Sequence, residues 1–412
     1  MRVVIVCDPG SVDGGASKVA ISSARGLAAE GVPVDYICTT GPGAPELDHP
    51  NIDVHCLNMA SVWTRPNPFA AAAQGIWNGA ARAQVEHILR RLPARDTIVH
   101  FHQWTKSFSP SVLAAPSRLE ISSIVSLHDY FLACPTGLYY RFSAGTPCTL
   151  KPMSGACLTA RCDKSSSLHK AVRVARQYTT DQALAQADSS LSILNVSSFA
   201  QKVIDPFIAK QHRRFVVHSP IDIGKSDPVR VSGNSQFVFV GRMTAEKGVL
   251  QLAQAARQAN LPVTFAGAGP LLEDIKALGD PIRCTGWLDA AGVDDILRQA
   301  RTLLFPSTWY ETGGLVVLEA LARGIPVIVS RATAAAEFVA DGQNGFLIDA
   351  GDISALAARM QELTDDASAD RMGQQAFDRY WAKPQTMAAH IANLLEVYEI
   401  ILSERRLQTS AA

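Results

Sequence analysis

The 412-residue chain has no excess of either charge, since 38 Lys and Arg offset 38 Asp and Glu. A general electrostatic hold on nucleic acid needs a clear basic surplus. That partner is therefore not expected, and any anion must be held by local groups. No stretch approaches the ~20 consecutive apolar residues of a membrane-crossing helix. The opening residues MRVVIVCDPG hold a four-residue apolar run where a secretory signal would carry a longer one, so a cytoplasmic location is expected. Gly-x-Gly-x-x-Gly, Asp-x-Asp and Cys-x-x-Cys are all missing, as are internal repeats of short period and low-complexity tracts. The first absence argues against a dinucleotide-dependent oxidoreductase. The second argues against a metal-held diphosphate, and the third against a compact zinc knuckle.

What is present is an ordinary globular composition, 47% hydrophobic and 18% charged, in a chain long enough for two domains of roughly 200 residues. Short apolar runs, rich in β-branched residues, alternate with longer helix-patterned segments. Strands are expected at 3–6, 34–38, 97–101, 123–127, 191–193, 215–217, 237–240, 263–265, 302–305 and 327–329. Most of these runs are continuous rather than alternating, as in parallel strands covered on both faces. Repeated β-α-β units imply an open α/β sheet with ligands beyond the carboxyl ends of its strands. Charged and turn residues at 210–235 suggest the boundary, which divides the chain into 1–215 and 216–385. A last helix over 386–412 carries Met387, Ile391, Leu394, Leu395, Tyr398 and Leu402 at helical spacing, with fraying expected after Arg406.

Two segments of the second half suit an anionic ligand. In FVFVGRMTAEKGVLQLAQAARQ a strand, a tight turn at Gly241 and a helix from about Lys247 place Arg242 and Lys247 beside a helix N-terminus. Backbone N–H groups, a guanidinium fork and an ammonium together make a diphosphate clamp, although a solvated loop would look similar. In FPSTWYETGGLVVLEALARGIPVIVS a strand ends at Phe305 and a helix begins near Leu315. Glu311 lies in the loop between them, with Gly313 and Gly314, and Glu319 lies in the helix. The glycines let a ligand approach the backbone, and Glu319 could accept both hydroxyl hydrogens of a ribose. The alternative is that Glu311 caps the helix and Glu319 is solvated.

Taken together, these residues resemble glycosyltransferase family 4, the retaining group 1 enzymes. The Glu-x7-Glu element (Glu311, Glu319), the Ala-Leu-Ala-Arg-Gly-Ile-Pro-Val run after it and Gly-Arg-x3-Glu-Lys-Gly (Gly241 to Gly248) carry the resemblance. The later AEFVADGQNGFLID extends it over essentially the whole chain. It implies a GT-B fold, two Rossmann-like doubly wound parallel-sheet domains facing across a cleft, with the last helix packing back on the N-terminal domain. Arg242 and Lys247 are then expected on the donor diphosphate and Glu319 on the ribose. Glu311, with the amides of Gly313, Gly314 and Leu315, is expected on the transferred sugar. The family usually has an aromatic between the two glycine-like positions; Thr-Gly-Gly here implies a looser or differently shaped sugar pocket.

In the first half, Gly14 and Gly15 precede a helix and resemble the family's glycine loop, which faces donor phosphates and acceptor; a plain flexible turn is the alternative. His128-Asp129 ends a strand, where the resemblance places a histidine against the donor sugar and makes Asp129 its orienting partner or that of a nearby loop. His102 and Trp104 end the preceding strand and could line the same cleft, Trp104 either stacking on sugar or packed.

Cys134, Cys148, Cys157 and Cys162 fall within a loop, 134–162, rich in Gly, Pro and Ser. A structural metal or labile disulfides would stabilise it, and some family members carry a similar insert. Lys164, His169, Lys170, Arg173 and Arg176 surround Leu168, Val172 and Val174. That stretch is either a solvated helix face or a peripheral membrane contact, since many family members use lipid-linked acceptors.

The resemblance implies transfer of a sugar from a UDP-, GDP- or other nucleoside diphosphate sugar to an acceptor hydroxyl. It also implies retention of configuration and no cofactor or catalytic metal. The acceptor is expected to be a glycan or lipid-linked intermediate of bacterial surface polysaccharide synthesis. The remaining alternatives are a sugar-nucleotide epimerase of related fold and a non-catalytic nucleotide-sugar-binding protein. Oligomeric state has no signature in the chain.

Overall fold

Continuous apolar runs become strands buried on both faces. The computed structural model describes residues 1–410, and they divide into two units. One comprises Met1–Gly137, Leu150–Pro220 and the segment from Met387; the other comprises Leu138–Thr149 and Ile221–Thr386. Among the described residues no helix is long and apolar enough to cross a membrane.

The first unit holds β1 (Arg2–Cys7), β2 (Val34–Cys38), β3 (Ile52–Cys56), β4 (Thr97–Gln103) and β5 (Ser122–Leu127). After a short antiparallel pair, β6 (Tyr140–Arg141) and β7 (Thr146–Pro147), which lies in the second unit, come β8 (Leu191–Asn195) and β9 (Arg214–Val216). The sheet order is β3-β2-β1-β4-β5-β8-β9, with every pairing parallel. The second unit holds β10 (Gln236–Val240), β11 (Val263–Ala266), β12 (Ile282–Gly286), β13 (Ala300–Phe305), β14 (Val327–Ser330) and β15 (Gly345–Ile348). Its order is β12-β11-β10-β13-β14-β15, again parallel. In each sheet the order reverses between two central neighbours, β1 and β4 or β10 and β13. That is the switch point where diverging loops leave room for a ligand. The edge strands β3 (IDVHC) and β12 (IRCTG) gave no apolar run to read, because an edge is covered incompletely and keeps polar residues.

Three expectations need correction. The first unit extends to Pro220, beyond residue 215, because β9 pairs with β8 and Val217 enters that unit's core. Residues 138–149 belong to the second unit, where the buried Tyr140 hydroxyl lies 3.3 Å from Thr308 Oγ1. The loop 134–162 is thus shared between units. Finally, the last helix, Met387–Ser410, is helical beyond Arg406, while residues 411–412 of the expected 386–412 lie outside the described part.

This helix is part of the first unit's core. Ile391, Leu394, Val397, Tyr398, Ile401 and Leu402 join a cluster with Val3, Ile5, Ile21 and Leu27. His390 Nε2 is 2.9 Å from Ser23 Oγ, and Tyr398 Oη is 2.6 Å from His100 Nδ1. Leu394 is fully buried. Leu394→Ala should therefore cost about 2–5 kcal/mol in urea unfolding, whereas the exposed Ser403→Ala should stay within ~0.5 kcal/mol.

Candidate active site

At the switch point of the second sheet, the loops after β10 and β13 are bound to each other. Ala245–Lys247 form a 3-10 turn, so the helix Val249–Ala259 starts two residues after the expected Lys247. Gly248 caps it at φ 72°, and a Cβ there would lie 2.2 Å from the Pro306 carbonyl oxygen. Only glycine lets the two loops approach this closely. The Thr308 N–H donates to the Glu246 carbonyl at 2.8 Å, and Glu246 itself is buried.

This contact sets Lys247 against Glu311. The Lys247 ammonium donates to Glu311 Oε1, and Ser307 Oγ donates to Glu311 Oε2 at 2.8 Å. The ammonium also lies 5.8 Å from the Phe305 ring centre and 5.6 Å from that of Trp309, within cation–π range. The two charged side chains are only 12% and 13% exposed. Arg242, by contrast, is 64% exposed and lies 3.9 Å from the Glu246 carboxylate.

Glu311 does not cap the following helix. Leu315–Ala322 begins after Gly314, whose φ of 148° and close approach to Ala335 exclude a side chain. A Cβ on Gly313 would meet no described atom within 4 Å, which leaves its backbone approachable. Leu315 and Glu319 are half-buried on this helix. Glu319 lies within electrostatic reach of Tyr380, whose hydroxyl burial pushes up to about 12 with the Glu319 charge contributing. Arg242, Lys247, Gly313, Gly314, Leu315, Glu311 and Glu319 thus all sit at the carboxyl ends of β10 and β13.

In the first unit, Gly14 and Gly15 open the helix Gly15–Ala29, and a Cβ on either would meet no described atom within 4 Å. Asp8, at the end of β1, accepts from the amides of Lys106, Ser107 and Phe108 at 2.7, 2.8 and 3.0 Å. It thereby anchors the loop after β4. Burial pushes its carboxyl up to about 6 against those three donors. His102 at the end of β4 reaches His128 after β5, with Nδ1 3.0 Å from Nε2. Asp129 supports a neighbouring loop, accepting from Phe131 N at 3.1 Å. Its carboxyl is raised to about 6 by burial, opposed by that bond and by Arg176. Trp104 is packed, at 4% exposure. His100 was not singled out in the sequence, although its spacing of two from His102 puts both on one strand face.

Cys157 lies within electrostatic reach of Cys134 and Cys162, and burial with those neighbours raises its thiol. Among the described residues no three His, Cys, Asp or Glu side chains are arranged to hold a metal ion, and Cys134, Cys157 and Cys162 are thiols rather than disulfides. Cys134 Sγ is 3.3 Å from Thr136 Oγ1. The Lys170 ammonium donates to the carbonyls of Cys157 and Ala160, so a side-chain cation organises that turn. Part of the basic stretch is turned inward. On the helix Ser167–Ala187, Arg176 donates to Pro135 O at 3.1 Å, and Arg173 pairs with Asp163 at 3.0 Å. Lys164 and His169 stay exposed, together with Leu168.

Two units, each built on a parallel open sheet with charged or imidazole groups beyond the carboxyl ends at the switch point, define a GT-B fold. Solved structures share it. Sucrose-phosphate synthase from Thermosynechococcus elongatus superposes with a TM-score of 0.72 at 19% identity, covering 98% of this chain and all of that one. Anabaena HepE in complex with UDP-glucose gives 0.65 at 16%, covering 96% and 99%. The family profile described as "Glycosyl transferases group 1" matches residues 225–379, and "Glycosyl transferase 4-like domain" matches 14–185. A D-inositol 3-phosphate glycosyltransferase of Arthrobacter sp. is 25% identical over 407 residues, 89% of this chain and 86% of that protein. The chain belongs to glycosyltransferase family 4, the group 1 glycosyltransferases, and is an enzyme of that type.

The histidines predict acid sensitivity. Burial holds His100 and His102 well below the usual imidazole range and His128 and His390 at about 4, with neighbouring imidazoles adding to the effect at the first three. Unfolded imidazoles titrate near 6.5. Below that pH the unfolded chain binds protons that the folded state refuses, so stability falls from about pH 6.5 towards 4. Asp8 and Asp129, raised to about 6, act oppositely between about 6 and 4, but they are outnumbered. Calorimetry should show the first unit melting at lower temperature at pH 5 than at pH 7; a rise would contradict this balance.

Proposed function

We propose that the enzyme transfers a sugar from a nucleoside diphosphate sugar to an acceptor hydroxyl with retention of configuration and without a catalytic divalent metal. The observation that carries this reading is the Lys247–Glu311 pair, contributed by two neighbouring loops at the switch point. A diphosphate offers the ammonium a stronger anionic partner than one carboxylate. Exchange of Lys247 from Glu311 to the phosphate would free the Glu311 carboxylate for hydroxyls of the transferred sugar. Arg242, exposed beside it, supplies the second cation, and the open backbone at Gly313 and the helix start at Leu315 supply N–H donors. Glu319 is assigned to the ribose. In the first unit, His128 is assigned to the donor sugar, and the open Gly14–Gly15 turn to phosphates and acceptor.

In this reading the acceptor oxygen bonds to the anomeric carbon as the bond from that carbon to the phosphate oxygen breaks. The acceptor's proton passes to the leaving phosphate. Positioning and charge stabilisation by Arg242 and Lys247 supply the rate. The HepE structure holds UDP-glucose, which supports a nucleotide-sugar donor here. The family resemblance supports a glycan or lipid-linked acceptor of surface polysaccharide synthesis.

The test exposes the protein to UDP-, GDP-, dTDP- and ADP-sugars with EDTA, following nucleoside diphosphate release and melting temperature. One donor should stabilise the fold and be slowly hydrolysed; no shift with any of them would reject the reading. Lys247→Ala should lower kcat about 10²–10³-fold. Lys247→Arg should recover only part of it, because a planar fork does not replace a point charge between two rings.

A further inference from the structure

The adjacent strands β1, β2 and β3 each end in a cysteine, Cys7, Cys38 and Cys56. Cys38 and Cys56 are register partners. Cys38 belongs to the core shared with the helix Gly15–Ala29 and the last helix, and Cys56 packs against that same core, so both side chains leave one face of the sheet. Neighbouring strands lie about 4.8 Å apart, inside the span of about 4.4–6.8 Å that a disulfide bridges between Cα atoms. The Cys56 thiol is within hydrogen-bonding reach of Cys38, and glycines clear the space around both sulfurs. A Cβ on Gly10 would lie 3.0 Å from Cys38 Sγ, and one on Gly41 would lie 3.2 Å from Cys56 Sγ. The two thiols differ in access. Cys38 is fully buried, whereas Cys56 is half-buried and donates to Asn58 Oδ1 at 3.3 Å. Burial pushes the Cys38 thiol up to about 12, with Cys56 beside it contributing. Cys38 therefore stays protonated and is not the sulfur that meets an oxidant first. Cys7 lies within electrostatic reach of Cys38, but it is fully buried and bonded to Tyr36.

We propose that Cys38 and Cys56 are an oxidation site, a pair that hydrogen peroxide converts to a reversible intramolecular disulfide. The Cys56 sulfur attacks one peroxide oxygen and the O–O bond breaks. Cys56 becomes a sulfenic acid, and the first water leaves. The Cys38 sulfur then bonds to the Cys56 sulfur as the S–O bond breaks, and the Cys38 proton departs with the hydroxide as a second water. In all, the two thiols lose two protons and two electrons, and one peroxide takes them up. The register that holds the sulfurs side by side makes the second step intramolecular. The bond ties the edge strand β3, which has a neighbour on one side only, to β2 at the carboxyl edge that also carries the Gly14–Gly15 turn. Other pairs lack this combination. A Cys7–Cys38 bond has no accessible sulfur to begin it, and Cys134, Cys157 and Cys162 are all buried.

Mass mapping of the full-length protein reads the bond directly. The reduced protein is treated with hydrogen peroxide at neutral pH and its remaining thiols are blocked. It is then digested with trypsin and with a protease that cuts after Glu46, which separates the two cysteines. The expected result is a link between Cys38 and Cys56 that lowers the joined mass by two hydrogens and disappears with dithiothreitol. Cys38→Ser should strand Cys56 as a sulfenic acid that dimedone captures. Cys56→Ser should leave Cys38 a thiol at the same peroxide dose. Circular dichroism of each sample checks that the chain is folded when it is oxidised. Cys56 driven on to sulfinic acid in the folded wild-type protein, with Cys38 still a thiol, would overturn the proposal. So would a link from either cysteine to any other, or two thiols left untouched by peroxide that oxidises the unfolded chain. The wild-type map decides the matter without either variant.

Discussion

A parallel strand buried on both faces has nowhere to put polar chemistry except at its ends. Both sheets of this enzyme obey that constraint. β1 has five of its six residues buried, and β13 has all six. The groups that can bind or react therefore collect in the loops beyond the carboxyl ends, and the reversal of strand order decides which loops stand side by side. Arg242, Lys247, Glu311 and Glu319 belong together for this reason, although they span two segments separated by dozens of residues.

Within the second unit, local backbone chemistry then sharpens the position. Gly248 brings its loop against Pro306, and the turn before it aims Lys247 between two aromatic rings at Glu311. A buried ion pair costs desolvation and is poor evidence of stability on its own. In the proposed reading, each partner holds the other in a place where an incoming diphosphate and sugar would take over both contacts. In the first unit Asp8 does comparable work with neutral partners, tying down three successive amides so that the loop after β4 has one conformation.

The segment after β5 shows how a loop too polar for a core is held. Lys170, Arg173 and Arg176 lie on one helix, and their cations reach loop carbonyls and Asp163. Charge-assisted hydrogen bonds substitute for the apolar burial that this stretch cannot supply. Three cations of the basic stretch are thus consumed inside the unit, while Lys164, Leu168 and His169 stay at its surface.

The sequence alone determined much of this protein. Continuous Val, Ile, Leu and Phe runs marked the central strands, because both faces of such strands must be apolar. The Gly-Arg-x3-Glu-Lys-Gly and Glu-x7-Glu segments marked the second unit's candidate site, because they combine turn residues, charge and a helix start at short range. The edge strands β3 and β12 were missed, since partial cover leaves a short apolar-polar alternation in place of a continuous apolar run. Pairings at long range were decided only by tertiary structure. Lys247 and Glu311 are 64 positions apart, His102 and His128 are 26, and His100 and Tyr398 are 298. Which side chains meet, and which cations of a basic helix turn inward, depend on strand order and packing, and a one-dimensional pattern carries neither.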